Sequence, residues 1–210
     1  MLDRCSMTGD PCLAAAILIG GRAERFGQRD KSALPLGGVP ILQRILDVVR
    51  AVTDTVFAVG DAYGAAARAG LPVIPDALPG TGALGGVYTA VTESPCERTL
   101  VIGCDMPFLT ARFLRHLAHV RDADVVIPRT ARGYEPLCAV YGRACAEPLR
   151  QRLERGERHA AVPPPGLRVV EIGPDALTPY DPDGWLFVNV NTPHDYERAR
   201  RIVEAGRAPA

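Results

Sequence analysis

The chain has 210 residues, with 24 Lys and Arg balancing 24 Asp and Glu, so no global field draws it to nucleic acid or to an anionic membrane. Any anion site must therefore be built locally. This length suits one α/β domain with a full core, which we expect over residues 13–210 behind a loosely held N-terminus at 1–12.

Met1 to Pro11 holds no apolar run of signal-peptide length, and no later run approaches a membrane span, so neither is expected. Six cysteines, Cys5, Cys12, Cys96, Cys104, Cys138 and Cys145, form no C-x-x-C pair, and four of them sit in or beside apolar runs as small core residues do. A reduced, cytoplasmic protein is the expectation.

In chain order, Leu13 to Ile19 is a short aliphatic run bounded by glycine, which predicts a buried strand of a parallel sheet. It feeds directly into Gly20-Gly21-Arg22-Ala23-Glu24-Arg25-Phe26-Gly27-Gln28-Arg29-Asp30-Lys31. Glycines there let backbone N–H groups approach an anion, while Arg22, Arg25, Arg29 and Lys31 supply positive charge. The stretch reads as a phosphate loop at a strand's carboxyl end. It is not a Gly-Lys-Ser/Thr P-loop, because Asp30 precedes Lys31, and it lacks the G-x-G-x-x-G of dinucleotide sites.

Pro40 then opens a helix whose Ile41, Leu42, Ile45, Leu46, Val48, Val49 and Val52 recur at helical spacing. Thr55 to Val59 is the second predicted strand, Gly60-Asp61 its turn, and Ala62 to Ala69 a helix that Gly70 ends. After a third strand at Leu71 to Ile74, a long flexible connection from Pro75 through Gly82 leads into Ala83-Leu84-Gly85-Gly86-Val87, whose glycine density suggests close backbone approach to a ligand. Thr99 to Gly103 is the fourth strand. Cys104-Asp105-Met106-Pro107 follows it, where open α/β sheets place ligands, and Asp105 is the leading candidate for a hard cation such as Mg²⁺.

Thr110 should cap a helix ending at His119. Strands are expected at Ala123 to Pro128 and, beyond a Gly133-Tyr134 turn, at Glu135 to Tyr141, with Arg129, Arg132 and Tyr134 as exposed loop residues. An arginine-rich amphipathic helix at Ala144 to Arg155, an extended Pro163-Pro164-Pro165 spacer and a strand at Leu167 to Ile172 come next. The remainder reads as a proline-rich loop from Gly173 to Asp183, a last strand from Trp185 to Val190, and a helix capped by Thr192 with Pro193 first and Asp195 at N3.

The pattern Gly-Gly-x-x-x-Arg-Phe-Gly-x-x-Asp-Lys followed by Leu-Pro-Leu-Gly-Gly resembles the signature loop of nucleotidyltransferases, and most closely that of molybdenum cofactor guanylyltransferases. Three weaker matches follow in the same order: Asp76 with Gly82-Ala83-Leu84-Gly85-Gly86, where alanine replaces the family's proline; Cys104-Asp105-Met106-Pro107, where Gly103 replaces a proline; and Asn189-Val190-Asn191-Thr192-Pro193. Pro136-Leu137 with Tyr141 also resembles a family strand.

The resemblance implies a three-layer, Rossmann-like nucleotidyltransferase fold with a predominantly parallel, mixed sheet. It implies transfer of GMP from GTP to molybdenum-bound molybdopterin with release of pyrophosphate, dependent on Mg²⁺. Lys31, Arg25 and Asp105 would be catalytic, with Asp105 on the metal. Leu18, Ile19, Gly20, Gly21, Lys31, Asp61, Asp76 and Asp105 would line the nucleotide, and Asn189, Asn191 and Tyr134 the pterin. Proteins that deliver molybdopterin and molybdoenzymes that receive the product would be partners.

The charged nucleophile and leaving group ask for alignment and neutralisation more than for a general base, in keeping with His116, His119, His159 and His194 falling in no motif. Cytidylyl transfer, or transfer to a sugar phosphate, is the rival within the superfamily; a Leu-x-Gly-Gly opening goes with guanine, whereas Leu-x-Ala-Gly goes with cytidine. A non-catalytic adaptor is the rival from another class.

Overall fold

The computed structural model describes residues 12–19, 31–61 and 63–206. The first strand, β1 (Leu13–Leu18), is buried on both faces and built from small side chains. Ala15 and Ile17 join one hydrophobic layer while Ala14, Ala16 and Leu18 join the other, as the two-residue strand period requires.

The described chain resumes at a 3-10 turn, Lys31–Ala33, and a small hairpin of β2 (Pro35–Leu36) and β3 (Val39–Pro40), then enters α1 (Ile41–Arg50). Ile41, Leu42, Ile45, Leu46 and Val49 are the buried stripe of α1, each worth roughly 1.5–3 kcal/mol relative to exposure. There follow β4 (Val56–Val59), the short α2 (Ala65–Arg68), β5 (Val73–Ile74), α3 (Gly82–Thr92), β6 (Arg98–Gly103) and α4 (Ala111–His119). Thr110 accepts from the Phe113 N–H and caps α4 as expected. The second half adds β7 (Val125–Thr130), β8 (Gly133–Tyr134), β9 (Cys138–Gly142), α5 (Ala146–Glu154), β10 (Val169–Ile172), α6 (Pro174–Leu177) and α7 (Pro193–Glu204).

The sheet order is β10-β7-β9-β6-β1-β4-β5, with β8 hanging on β7. β1 is parallel to both β4 and β6, and β5 to β4. β9 is antiparallel to β6 and to β7, and β10 is parallel to β7. Two reversals cancel, so β1, β4, β5, β6, β7 and β10 all point their carboxyl ends to one edge. Residues from α1, α2, α4, α6 and α7 pack on one face and from α3 and α5 on the other. This is the three-layer mixed sheet that the resemblance implies.

Several expectations change. Gly133–Tyr134 is a short strand, β8, rather than a turn, and the Gly173 to Asp183 stretch holds the helix α6. The glycine-dense stretch from Gly82 is the start of a helix, α3. Its glycines serve packing: a Cβ on Gly86 would come within 3.1 Å of Leu18 Cδ1, and one on Gly85 within 1.8 Å of Thr81 Oγ1. Trp185 to Val190 is not a strand, although Leu186, Phe187, Val188 and Val190 are buried. An apolar run needs only a core to face, and here single tethers replace a ladder: Trp185 and Leu186 N–H donate to Asp181 Oδ1, and the Val190 N–H donates to the Asp105 carbonyl at 2.8 Å. Finally, Cys12 and Cys96 form a disulfide across 84 residues, joining the entry of β1 to the segment before β6. Cys104, Cys138 and Cys145 are buried; Cys5 lies outside the described residues.

The last helix also reaches back to the start of the chain. α7 carries a capping box in which Thr192 and Asp195 exchange bonds, and its Tyr196 hydroxyl donates to the Pro35 carbonyl. Gly37, at φ +61°, leaves no room for a Cβ, which would meet Val203 Cγ1 at 2.7 Å. Arg44 Nε holds the Leu36 carbonyl from the other side at 2.8 Å. The hairpin that follows Lys31 is thus clamped between α1 and α7.

Candidate functional site

The sequence-derived residues collect at the carboxyl edge of the sheet, where backbone groups beyond the last paired residue are open to a ligand. Leu18 ends β1, opposite Val59 and Gly103, and the Ile19 N–H continues to the Val59 carbonyl at 3.0 Å. Gly20, Gly21 and Arg25 lie outside the described residues. Lys31 opens the 3-10 turn where the described chain resumes.

Asp105 follows β6 directly. Its carbonyl accepts from the Val190 N–H, which brings the 185–191 segment to the same spot. A Cβ on residue 103 would lie 2.8 Å from Asp105 Oδ1, so Gly103 lets the carboxylate turn back against its own strand end. Asn189, beside Val190, has its Oδ1 buried with no hydrogen-bond partner among the described residues. Buried amide oxygens are ordinarily satisfied, so this oxygen stands out among the polar atoms of the segment that Val190 joins to Asp105.

Two other aspartates have internal work. Asp61 spreads its carboxylate over the N–H groups of Ala66 and Ala67, at 3.0 Å each, and so caps α2. Asp76 Oδ1 accepts from the Leu78 N–H and the Thr89 hydroxyl, both at 3.1 Å. It sets an Asx-type turn after β5 and ties it to the buried Thr89 of α3. Asn191 contributes its N–H to Asp195 Oδ2 at the head of α7. Tyr134, in β8, donates its hydroxyl to Glu171, and Arg129 covers its ring, with the guanidinium carbon 5.5 Å from the centroid.

One residue that pattern reading passed over is Glu135. It sits between β8 and β9 and is 9% exposed. Its Oε1 accepts from the Thr130 hydroxyl at 3.2 Å and from Arg132 Nη2 at 3.4 Å. Burial raises its pKa, Arg132 and Thr130 work against that rise, and the charge of Asp105 adds to it. The signal available in the sequence was an acid immediately before Pro136-Leu137, which reads as the first residue of a strand.

Among the described residues no three His, Cys, Asp or Glu side chains gather around a common point. A metal fit thus rests on oxygen donors of the kind a hard cation takes, the Asp105 carboxylate and the unpartnered Asn189 amide oxygen, with phosphate oxygens completing the shell.

The chain is similar to proteins already known. The family model of the MobA-like NTP transferase domain matches residues 15–163. A probable molybdenum cofactor guanylyltransferase of Pelotomaculum thermopropionicum is 32% identical over 91% of this chain and 93% of its own. A molybdenum cofactor guanylyltransferase of Desulfosudis oleivorans is also 32% identical, over 91% of this chain and 96% of its own. Among solved structures, molybdopterin-guanine dinucleotide biosynthesis protein A from Archaeoglobus fulgidus superposes with a TM-score of 0.78 at 28% identity, covering 91% of this chain and 99% of that one. On the agreement of sequence, motif order and sheet topology, the chain belongs to the MobA-like NTP transferase family and is a nucleotidyltransferase.

Proposed function

We propose that this chain transfers GMP from GTP to the phosphate of molybdenum-bound molybdopterin. The acceptor's phosphate oxygen forms a bond to the α-phosphorus of GTP, the bond from that phosphorus to the bridging oxygen breaks, and pyrophosphate leaves with the electron pair. No proton need move for the step to balance. The observation that carries the reading is the bond from the Val190 N–H to the Asp105 carbonyl, which brings the segment that holds the buried, unpartnered Asn189 oxygen to the carboxyl end of β6.

In this reading the backbone of Gly20 and Gly21, with Leu18 and Ile19, receives the guanine end, and Asp61 and Asp76 border it. Lys31 and Arg25 meet the charge that builds on the phosphates. Asp105, with Asn189 within reach, would hold Mg²⁺, which when bound neutralises phosphate charge and fixes the triphosphate's orientation. Tyr134, Asn189 and Asn191 would face the pterin, which places the acceptor toward the second half of the chain and GTP toward the first. A protein that hands over molybdopterin and a molybdoenzyme that takes the product are the partners this reaction calls for, and the cytoplasm is its proposed place. No described helix is long and apolar enough to cross a membrane.

The test is calorimetry with Mg²⁺ and GTP, CTP or ATP, followed by pyrophosphate release with molybdopterin present. GTP should bind most tightly and be consumed. Equal or tighter CTP binding selects cytidylyl transfer, and tight GTP binding without pyrophosphate release selects an adaptor.

A further inference from the structure

The segment 185–191 carries Asn189 to the site without pairing into the sheet, so its position depends on the burial of Leu186, Phe187, Val188 and Val190 and on a few individual bonds. Asp181 holds Trp185 and Leu186, Asp195 holds Asn191, and the Val190 N–H holds the Asp105 carbonyl. In its middle the Phe187 carbonyl accepts from Arg132 Nη2 at 2.9 Å, a contact that spans 55 positions in sequence and comes from the β7–β8 hairpin.

Arg132 cannot hold that carbonyl on its own terms. Its side chain is 65% exposed, and a long guanidinium arm loses much rotamer freedom when it is fixed. What fixes it is Glu135, whose side chain is only 12% exposed. Glu135 is in turn anchored by the Thr130 hydroxyl and by its own backbone, with its N–H on the Pro128 carbonyl at 2.9 Å and its carbonyl taking the Cys138 N–H at 3.0 Å. Thr130 also accepts from the Arg132 N–H at 3.2 Å, which closes the turn around the pair. A charge-assisted bond from a nearly immobile carboxylate orients the guanidinium, and the guanidinium orients the carbonyl.

We infer that Glu135 is a positioning residue for nucleotidyl transfer: through Arg132 it sets the 185–191 segment, which carries Asn189 and bonds the Asp105 carbonyl through Val190. The inference rests on the proposed function, in which Asn189 and Asp105 meet the reacting groups.

The chain's single tryptophan, Trp185, heads this segment and reports its position without any substrate. The experiment compares wild type, Glu135→Ala, Glu135→Gln and Arg132→Ala by acrylamide quenching of Trp185 and by steady-state kinetics, with thermal melts as a control for folding. Glu135→Ala and Arg132→Ala should both raise quenching. Each should lower kcat about 10- to 100-fold, the scale of a misplaced site, while the KM for GTP stays within about twofold, since uniform binding is untouched. Glu135→Gln keeps an acceptor oxygen for Thr130 and Arg132 and should restore both readouts.

Wild-type quenching and kcat in Glu135→Ala would overturn the inference. So would a Glu135→Gln variant as slow as Glu135→Ala with an undisturbed Trp185, because the carboxylate's charge would then act directly. If wild type releases no pyrophosphate from GTP, the proposed function fails, and the quenching series alone still decides whether Glu135 sets the segment.

Discussion

Asp105 is placed by three short-range facts: β6 ends beside it, Gly103 makes room for its carboxylate, and its carbonyl receives Val190. None of them depends on the carboxylate's charge. Asp105→Asn should therefore fold and melt close to wild type while losing metal-dependent turnover, by roughly 10² to 10³ in kcat if one charge stabiliser is removed from the transition state. Mg²⁺ titrations of turnover alongside thermal melts check this, and an unchanged Mg²⁺ dependence would remove Asp105 from the metal. Glu135 carries the opposite lesson. Its pKa is raised first by burial, and Arg132 and Thr130 work against that rise.

At the scale of elements, α3 is the informative case. A helix containing Gly82, Gly85 and Gly86 violates helix propensity by about 1 kcal/mol per glycine relative to alanine, and Ala at these positions would be the obvious stabilising change. The structure reverses that expectation at Gly85, where a Cβ would fall 1.8 Å from Thr81 Oγ1 and 3.3 Å from the Leu78 carbonyl. Gly85→Ala should destabilise by about 1–3 kcal/mol, the usual cost of overpacking, and adding Thr81→Ala should recover part of it. Urea melts of the single and double variants decide the point; a Gly85→Ala variant more stable than wild type would show that propensity wins. The same clash explains why this helix was hidden in the sequence. Glycine reads as loop because loops use its freedom, whereas here its lack of a side chain lets α3 approach β1 and its own N-terminal turn.

For the whole molecule, the two-faced burial of β1 was legible in Leu13 to Ile19, and the stop-and-start signals at Gly70, Thr110 and Thr192 fell where helices end or begin. The 185–190 segment was not legible as irregular chain, because alternation and apolarity report burial and say nothing about whether a neighbouring strand is there to pair with. Nor was the Cys12–Cys96 bond, since two cysteines 84 positions apart meet only once β1 and β6 lie side by side. Closing a loop of that length is worth about 4–5 kcal/mol in the chain-entropy model. Cys96→Ser, or reduction of the wild type, should lower unfolding free energy by about 2–4 kcal/mol, the usual measured range. Denaturant curves with and without reductant check this, and coincident curves would mean that the thiols are reduced to begin with, as the cytoplasm would keep them.

The clamp on the 35–40 hairpin has a consequence for how the protein can be taken apart. Because Tyr196 and Val203 of α7 hold the turn that follows Lys31, the half proposed to take the nucleotide has its brace 161 positions further along the chain. A fragment stopping near residue 163, where the family match ends, would carry every phosphate-loop residue and still lack that brace. Cutting the chain there should give two pieces that work only when mixed, and the activity of the mixture would then titrate with the concentration of the C-terminal piece.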